Sequence, residues 1–316
     1  MYPTTITVKK PATYTRPSML LKTILLTSLY FLISFHAAAE PPGILVTLKP
    51  IHSLVSNLTR GITQPRLLID GIQSPHDFQL KPSDRRKITH ADIIVYVSDS
   101  IESYIPEISN TFNEQQRVIA VDKIPGIKLL AARSSDEHSD HHAHHSDIDG
   151  HIWLSIDNAR AISHHLYTEL IRHDPEHQSA YLQNKNLLIE KLQRLKSSIN
   201  DKLSAVKQKP YLTFHDAFQY FESEFELSGS HFVTTSPEHI SGIQSIRRLK
   251  KLMVSENINC IYYEPPQLPG IIHTLKENTS ARTLPLDPVG TGLQPGEALY
   301  FELLDTIASQ LGDCLK

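Results

Sequence analysis

The first 39 residues hold no aspartate and no glutamate, although the 316-residue chain carries 34 acids against 31 lysines and arginines. Lys9, Lys10, Arg16 and Lys22 leave that segment wholly basic. A run long enough to span a bilayer, roughly 20 apolar residues, is also missing. The stretch ILLTSLYFLISF, Ile24 to Phe35, stops at about a dozen and leads into HAAAE. A basic start, a short apolar run and small residues before Glu40 predict a secretory signal over 1–39, cleaved near Ala39. A start at Met19 gives a more compact version of the same signal. The other reading of this segment is a buried amino-terminal helix. No cysteine stands at the junction, so a lipid anchor is not expected.

Cysteine is scarce: Cys260 and Cys314 are the two in the chain. In an oxidising compartment a lone pair is read as a disulfide, here joining the carboxyl-terminal helix to a strand. Two buried free thiols are the other arrangement. No H-E-x-x-H motif is present, so one common signature of a zinc hydrolase is absent. A composition of 40% hydrophobic and 21% charged residues excludes a disordered chain and a multi-span membrane protein, and suits two domains. Loss of 1–39 would move the formal charge from −3 to −7. That is a poor balance for nucleic-acid binding and is compatible with cations.

What the chain does contain is an alternation. ILVTL (44–48), RLLI (66–69), DIIVYV (92–97) and VIAV (118–121) read as buried strands, with helical stretches at 52–61 and 82–91 between them. The pattern returns as YLTF (211–214), HFVTT (231–235), CIYY (260–263) and TLPL (283–286). Strands alternating with helices predict parallel sheets in an α/β fold. Between the halves, Asp174 and Pro175 open a helical pattern of Leu182, Ile189, Leu192, Leu195, Ile199, Leu203 and Val206, with Pro210 as the stop. The expected organisation is a signal over 1–39, an amino-terminal lobe over 40–173, a connecting helix over 174–209 and a carboxyl-terminal lobe over 210–316. The helix is expected as one rod of about 33 residues, roughly 50 Å long.

Histidine is abundant, at 18 residues, and imidazole is the commonest metal ligand. In open α/β sheets ligands bind beyond the carboxyl ends of strands. His76 follows RLLI, His151 opens HIWLS, His215 follows YLTF, and Asp287 follows TLPL. Three imidazoles with Asp287 or a water in the fourth position would suit tetrahedral zinc. Asp77 and Asp216, each next to a ligand, are candidate outer acceptors. His52, His90, His164, His165, His173, His177, His231, His239 and His273 are read as ordinary polar residues. The stretch 134–147 is rich in Ser, Asp and His without apolar periodicity, and is expected to be a mobile loop at the cleft mouth. Its His138, His141, His142, His144 and His145, with Asp136, Glu137, Asp140 and Asp147, would hold zinc weakly. Trp153 would anchor His151 in the lobe. A three-histidine zinc hydrolase is the rival reading, with Glu264 as its general-base candidate.

SPHDFQLKPSD, GHIWLS, FHDAFQYFE and LDPVGTGLQPGEALYFELL, in this order, resemble the zinc-specific, ZnuA-like periplasmic solute-binding proteins of ABC transporters. The acidic His-rich insertion before HIW and the pair in NCIYYEPPQ and GDCLK are similar too. The resemblance implies a metal-binding C-clamp: two (β/α)4-type lobes joined by one long backbone helix, with the metal in the inter-lobe cleft. It implies His76, His151 and His215 as ligands, and Zn2+ as the transported ligand. It also implies a membrane permease with its cytoplasmic ATPase as partners. A monomer is expected, doing no covalent chemistry.

Overall fold

Each of the eight apolar runs becomes a strand in the computed structural model. It describes residues 1, 3, 9, 10 and 40–316, apart from 72, 134–147, 236–241 and 267. The segment expected to be a signal, apart from residues 1, 3, 9 and 10, and the His-rich stretch thus lie outside the described residues. The first sheet is built from β1 (Ile44–Val46), β2 (Arg66–Leu67), β3 (Ile93–Tyr96) and β4 (Arg117–Ala120), in the order β2-β1-β3-β4. The second repeats that order with β5 (Tyr211–His215), β6 (Ser230–Thr234), β7 (Cys260–Tyr263) and β8 (Arg282–Pro285), as β6-β5-β7-β8. Every pairing is parallel. β1 and β5 are buried along their whole length, as expected of central strands covered on both faces. The strand order reverses at β1 and at β5, so each lobe has its crevice at the carboxyl end of those strands.

Helices α1 (Lys49–Leu58), α2 (Pro82–Thr89), α3 (Tyr104–Ile108) and α4 (Ile156–His173) belong to the first half. A 3₁₀ turn over Pro175–His177 then leads into α5 (Gln178–Leu203), which is 26 residues long, about 39 Å. Tyr181, Leu188, Leu192, Leu195, Ile199 and Leu203 form its buried stripe. The α-helix is shorter than the spacing of apolar residues predicts, and it is continuous. It ends because Ser204 closes a turn onto Asp201 and Val206 N turns back to Leu203 O. Pro210 disfavours helical geometry at the residue before it, and Val206 is buried from a turn instead.

The second half adds α6 (Gln219–Phe225), α7 (Ile243–Ser255), α8 (Gly270–Lys276) and α9 (Leu299–Leu315). One core runs through both halves: Leu45 and Ile94, Leu192 on α5, and Phe221, Tyr262 and Leu304 are all part of it. A smaller core lies under α7 and α8, around Leu212, Val233, Leu249 and Ile272. Cys260 and Cys314 are bonded, with Cα atoms 6.0 Å apart, tying β7 to the last turn of α9.

Candidate metal centre

Each of the three histidines is placed by a different local device. His76 sits in a 3₁₀ turn, Pro75–Asp77, opened by a proline, and its N–H donates to Ser74 Oγ at 3.2 Å. His215 is the last residue of β5, so it leaves the carboxyl end of a strand buried throughout. His151 precedes the 3₁₀ turn Ile152–Leu154, whose side chains are all fully buried. Trp153 anchors that turn and donates Nε1–H to Pro288 O at 2.7 Å. Gly150 is required just before it: a Cβ there would lie 2.2 Å from Ile101 Cγ1 and 2.6 Å from Ser100 Oγ.

The rings converge. Centroids are 5.6 Å apart for His76 and His151, 5.5 Å for His76 and His215, and 4.9 Å for His151 and His215. One nitrogen from each lies within 4.8 Å of the other two. Bonds of about 2.0–2.1 Å to a tetrahedral zinc need nitrogens about 3.4 Å apart, a change within reach of small ring rotations.

Two rings are held from behind. His151 Nδ1 lies 2.7 Å from Asp149 Oδ1, and His215 Nδ1 lies 2.6 Å from Glu264 Oε1. A carboxylate that takes the Nδ1 proton fixes the tautomer and leaves the Nε2 lone pair for a cation. The sheet explains the second contact. Thr213 pairs with Tyr262 across β5 and β7, so two residues on, His215 stands opposite Glu264. His76 Nε2 is buried with no hydrogen-bond partner among the described residues, which suits a cation ligand and little else. Burial, then the nearby His151 and His215, hold the His76 pKa down at about 3. That ring is neutral and ready to bind across the physiological range. Burial opposes charge on Glu264, but the attraction of His215 and the hydrogen bond to it win and keep its carboxyl below the usual range.

Asp287 is not part of this group. Its Oδ1 accepts from Val289 N at 2.9 Å and Gly290 N at 2.8 Å, and its Oδ2 from Thr291 N and Thr291 Oγ1, both at 2.6 Å. It shapes the turn that offers Pro288 O to Trp153, and its oxygens are spent there. The outer acceptors also differ from the expected pair. Asp77 is exposed, and Asp216 is paired with Arg133. Asp149 and Glu264 take that place. Asp149 escaped the sequence reading; its signal is D-G-H, an acid two residues before a ligand with glycine between, which lets the carboxylate fold back on the ring. Of the remaining histidines, His52 lies by Pro65 O, His177 by Asp174 and His231 by Glu256. His138, His141, His142, His144, His145 and His239 lie outside the described residues.

The family described as zinc-uptake complex component A, periplasmic (ZnuA), matches residues 44–314. The high-affinity zinc uptake system protein ZnuA of Brucella suis biovar 1 is 32% identical over 311 residues, covering 88% of this chain and 93% of that protein. A crystal structure of ZnuA shares the fold with a TM-score of 0.74 at 18% identity, over 87% of this chain and 99% of its own. So does a Zn(II)-bound mutant variant of AdcAII from Streptococcus pneumoniae, with a TM-score of 0.74 at 22% identity, over 88% of this chain and 99% of its own. By the profile that spans nearly all of it after residue 43 and by a relative matched across most of both lengths, this chain belongs to the ZnuA family of zinc-uptake components.

Proposed function

We propose that the chain is the exported zinc-binding component of an ABC uptake system. It takes Zn2+ between its lobes with His76, His151 and His215 and hands it to a membrane permease driven by a cytoplasmic ATPase. The observation that carries this is the meeting of three imidazole nitrogens, one from β5 of the second lobe and two from the first, within 4.8 Å. Nitrogen donors favour zinc over manganese, magnesium or calcium, which take oxygen. Asp149 and Glu264, bonded to two of the rings, bring negative charge that offsets the incoming cation in a buried place. A water fills the fourth position, because Asp287 is committed to its own turn.

The cargo is bound and released unchanged. Glu264, the general-base candidate, is engaged with His215 Nδ1, behind the ligand rather than in front of it. The basic, acid-free start serves export to the periplasm, with removal near Ala39, and the Cys260–Cys314 bond fits an oxidising compartment. The protein acts as a monomer, and 40–173 and 210–316 are its two lobes.

The test is competition for Zn2+ between untagged mature protein and a chromogenic chelator. One tight zinc per chain is expected, lost in His151→Ala, without hydrolysis of ester or peptide substrates. Tight binding that survives His151→Ala would remove the proposed site.

A further inference from the structure

Helix α6 belongs to the second lobe by sequence, yet four of its polar side chains also reach the first. Tyr220 Oη donates to Asp149 O at 2.7 Å and accepts from Leu130 N at 3.0 Å. Glu222 Oε2 lies 3.0 Å from Arg133 Nη1. Ser223 Oγ accepts from Lys128 Nζ at 2.9 Å. Glu224 Oε2 accepts from Ser155 Oγ at 2.6 Å and from Asp157 N at 3.3 Å. Its partners lie on either side of 134–147, and the second of those flanks carries a zinc ligand.

Among these contacts Tyr220 leads to the metal centre. Its ring is buried at 1% exposure, and its hydroxyl uses both its donor and its acceptor. Leu130 and Asp149 are also bonded to each other, Asp149 N donating to Leu130 O at 2.9 Å. Asp149 is thus held at both backbone groups. Its Oδ1 then accepts from His151 N at 3.0 Å and from His151 Nδ1 at 2.7 Å. The path runs from a phenol of the second lobe, through one residue, to a ligand ring of the first. Tyr220 also lies five positions after His215. The segment 211–225 therefore sets His215 directly at a strand end and reaches His151 through Asp149.

We propose that Tyr220 is a positioning residue for zinc: its hydroxyl fixes Asp149, and through it His151, at the distance from His215 that the ion needs. This rests on the reading of the three histidines as the zinc site. The role is geometric, since Tyr220 touches no ligand ring. A variant without the hydroxyl keeps the ring's packing but releases the Asp149 carbonyl and the Leu130 N–H. His151 then gains freedom that the bound ion must remove. Charge and the route of entry are unchanged, so the loss falls on the dissociation rate.

The experiment uses full mature protein in three forms: wild type, Tyr220→Phe and Ser223→Ala. The last cuts a neighbouring contact of α6 that leads to no ligand. Zinc dissociation is followed after mixing with excess chelator, and Co2+-loaded protein gives the visible spectrum of the coordinated metal. Tyr220→Phe is expected to release zinc about 10–100-fold faster, the range for loss of an outer-shell partner, and to change the Co2+ spectrum. Ser223→Ala is expected to match wild type in both. Asp149→Asn supplies a second route: it should release zinc faster by a similar factor, and adding Tyr220→Phe should then contribute little more. If Tyr220→Phe lowers only the unfolding temperature, with wild-type dissociation and Co2+ spectrum, Tyr220 is a packing residue and the proposal falls. Additive effects of Tyr220→Phe and Asp149→Asn overturn it as well. If wild-type protein itself holds no zinc that His151→Ala removes, the site reading has failed, and the proposal with it.

Discussion

A histidine is a good zinc ligand when the right nitrogen faces the ion, and at the proposed site two carboxylates would decide that. Glu264→Gln replaces the acceptor behind His215 with a neutral amide, and zinc affinity should fall about 10–100-fold in a chelator competition, with the fold unchanged. Asp287→Asn should do the opposite. It weakens the turn over 287–291, where the carboxylate accepts three backbone N–H groups and a hydroxyl, so the unfolding temperature should drop while one zinc is still bound. Zinc lost from Asp287→Asn at full stability would return that residue to the site. Of the three proposed ligands, His215 ends a strand, a local feature legible in the sequence, whereas His76 and His151 stand at 3₁₀ turns and were singled out by the motifs around them. Asp287 also follows a strand, and on that criterion it looks the same. The difference is Pro288–Thr291, whose N–H groups reach its carboxylate before any metal can. Glu264 was visible only as a possible base, because its bond to His215 depends on a register between strands 49 residues apart.

At the scale of elements, the strands were readable because central parallel strands are apolar on both faces. The ends of the long helix were not, because Val206 continues the apolar spacing while being buried from a turn. Another element carries a polar group the sequence left unmarked. Glu102, just past β3, is fully buried and accepts from Val97 N at 2.5 Å and Tyr104 Oη at 3.0 Å. Burial pushes its pKa up to about 7 from an ordinary value of 4.5, outweighing the hydrogen bonds that favour its charged form. A folded pKa above the unfolded one means stability that is fully present below pH 4.5 and lost as pH rises to 7. Glu102→Gln stays neutral, so it should gain on wild type between those limits, by on the order of 3 kcal/mol at about pH 8. Thermal unfolding of both proteins at about pH 4.5 and about pH 8 measures it; a constant difference between the two pH values would contradict the assignment. The disulfide belongs to the same scale. It closes a loop with a sequence separation of 54, for which chain entropy gives about 4 kcal/mol. Cys314→Ser should therefore unfold well below wild type in a thermal scan and still bind one zinc.

At the scale of the molecule, the connecting helix is the first of several joints between the lobes. The second is a seam between α1 and the approach to α9: Lys49 Nζ donates to Thr291 O at 2.9 Å, Asn57 Nδ2 to Glu297 O at 2.8 Å, and Tyr300 N to Ser53 Oγ at 3.1 Å. The third is α6 against residues 128–133 and 149–157. These joints, with the hydrogen bonds of Trp153 Nε1 to Pro288 O and Tyr300 Oη to Trp153 O, leave little room for hinge closure, so the site is set mainly by side-chain movement. The sequence showed the first joint, which is continuous in the chain. The others join residues far apart in the chain and left no local trace. The joints also bear on the His-rich stretch. Ala131 and Ile148, which flank it, form an antiparallel bridge. Deleting 134–147 should keep one tight zinc and remove only weaker binding, as counted by equilibrium dialysis; loss of the tight zinc would place the site in the loop instead.

The central claim is that one zinc is held by three imidazoles drawn from both lobes. X-ray absorption at the zinc edge, on mature protein lacking 134–147 and loaded with one equivalent, tests it most directly. The account predicts three imidazole nitrogens and one oxygen at about 2.0–2.1 Å, with one imidazole fewer in each of His76→Ala, His151→Ala and His215→Ala. A first shell dominated by oxygen, or one unchanged in His215→Ala, would contradict it.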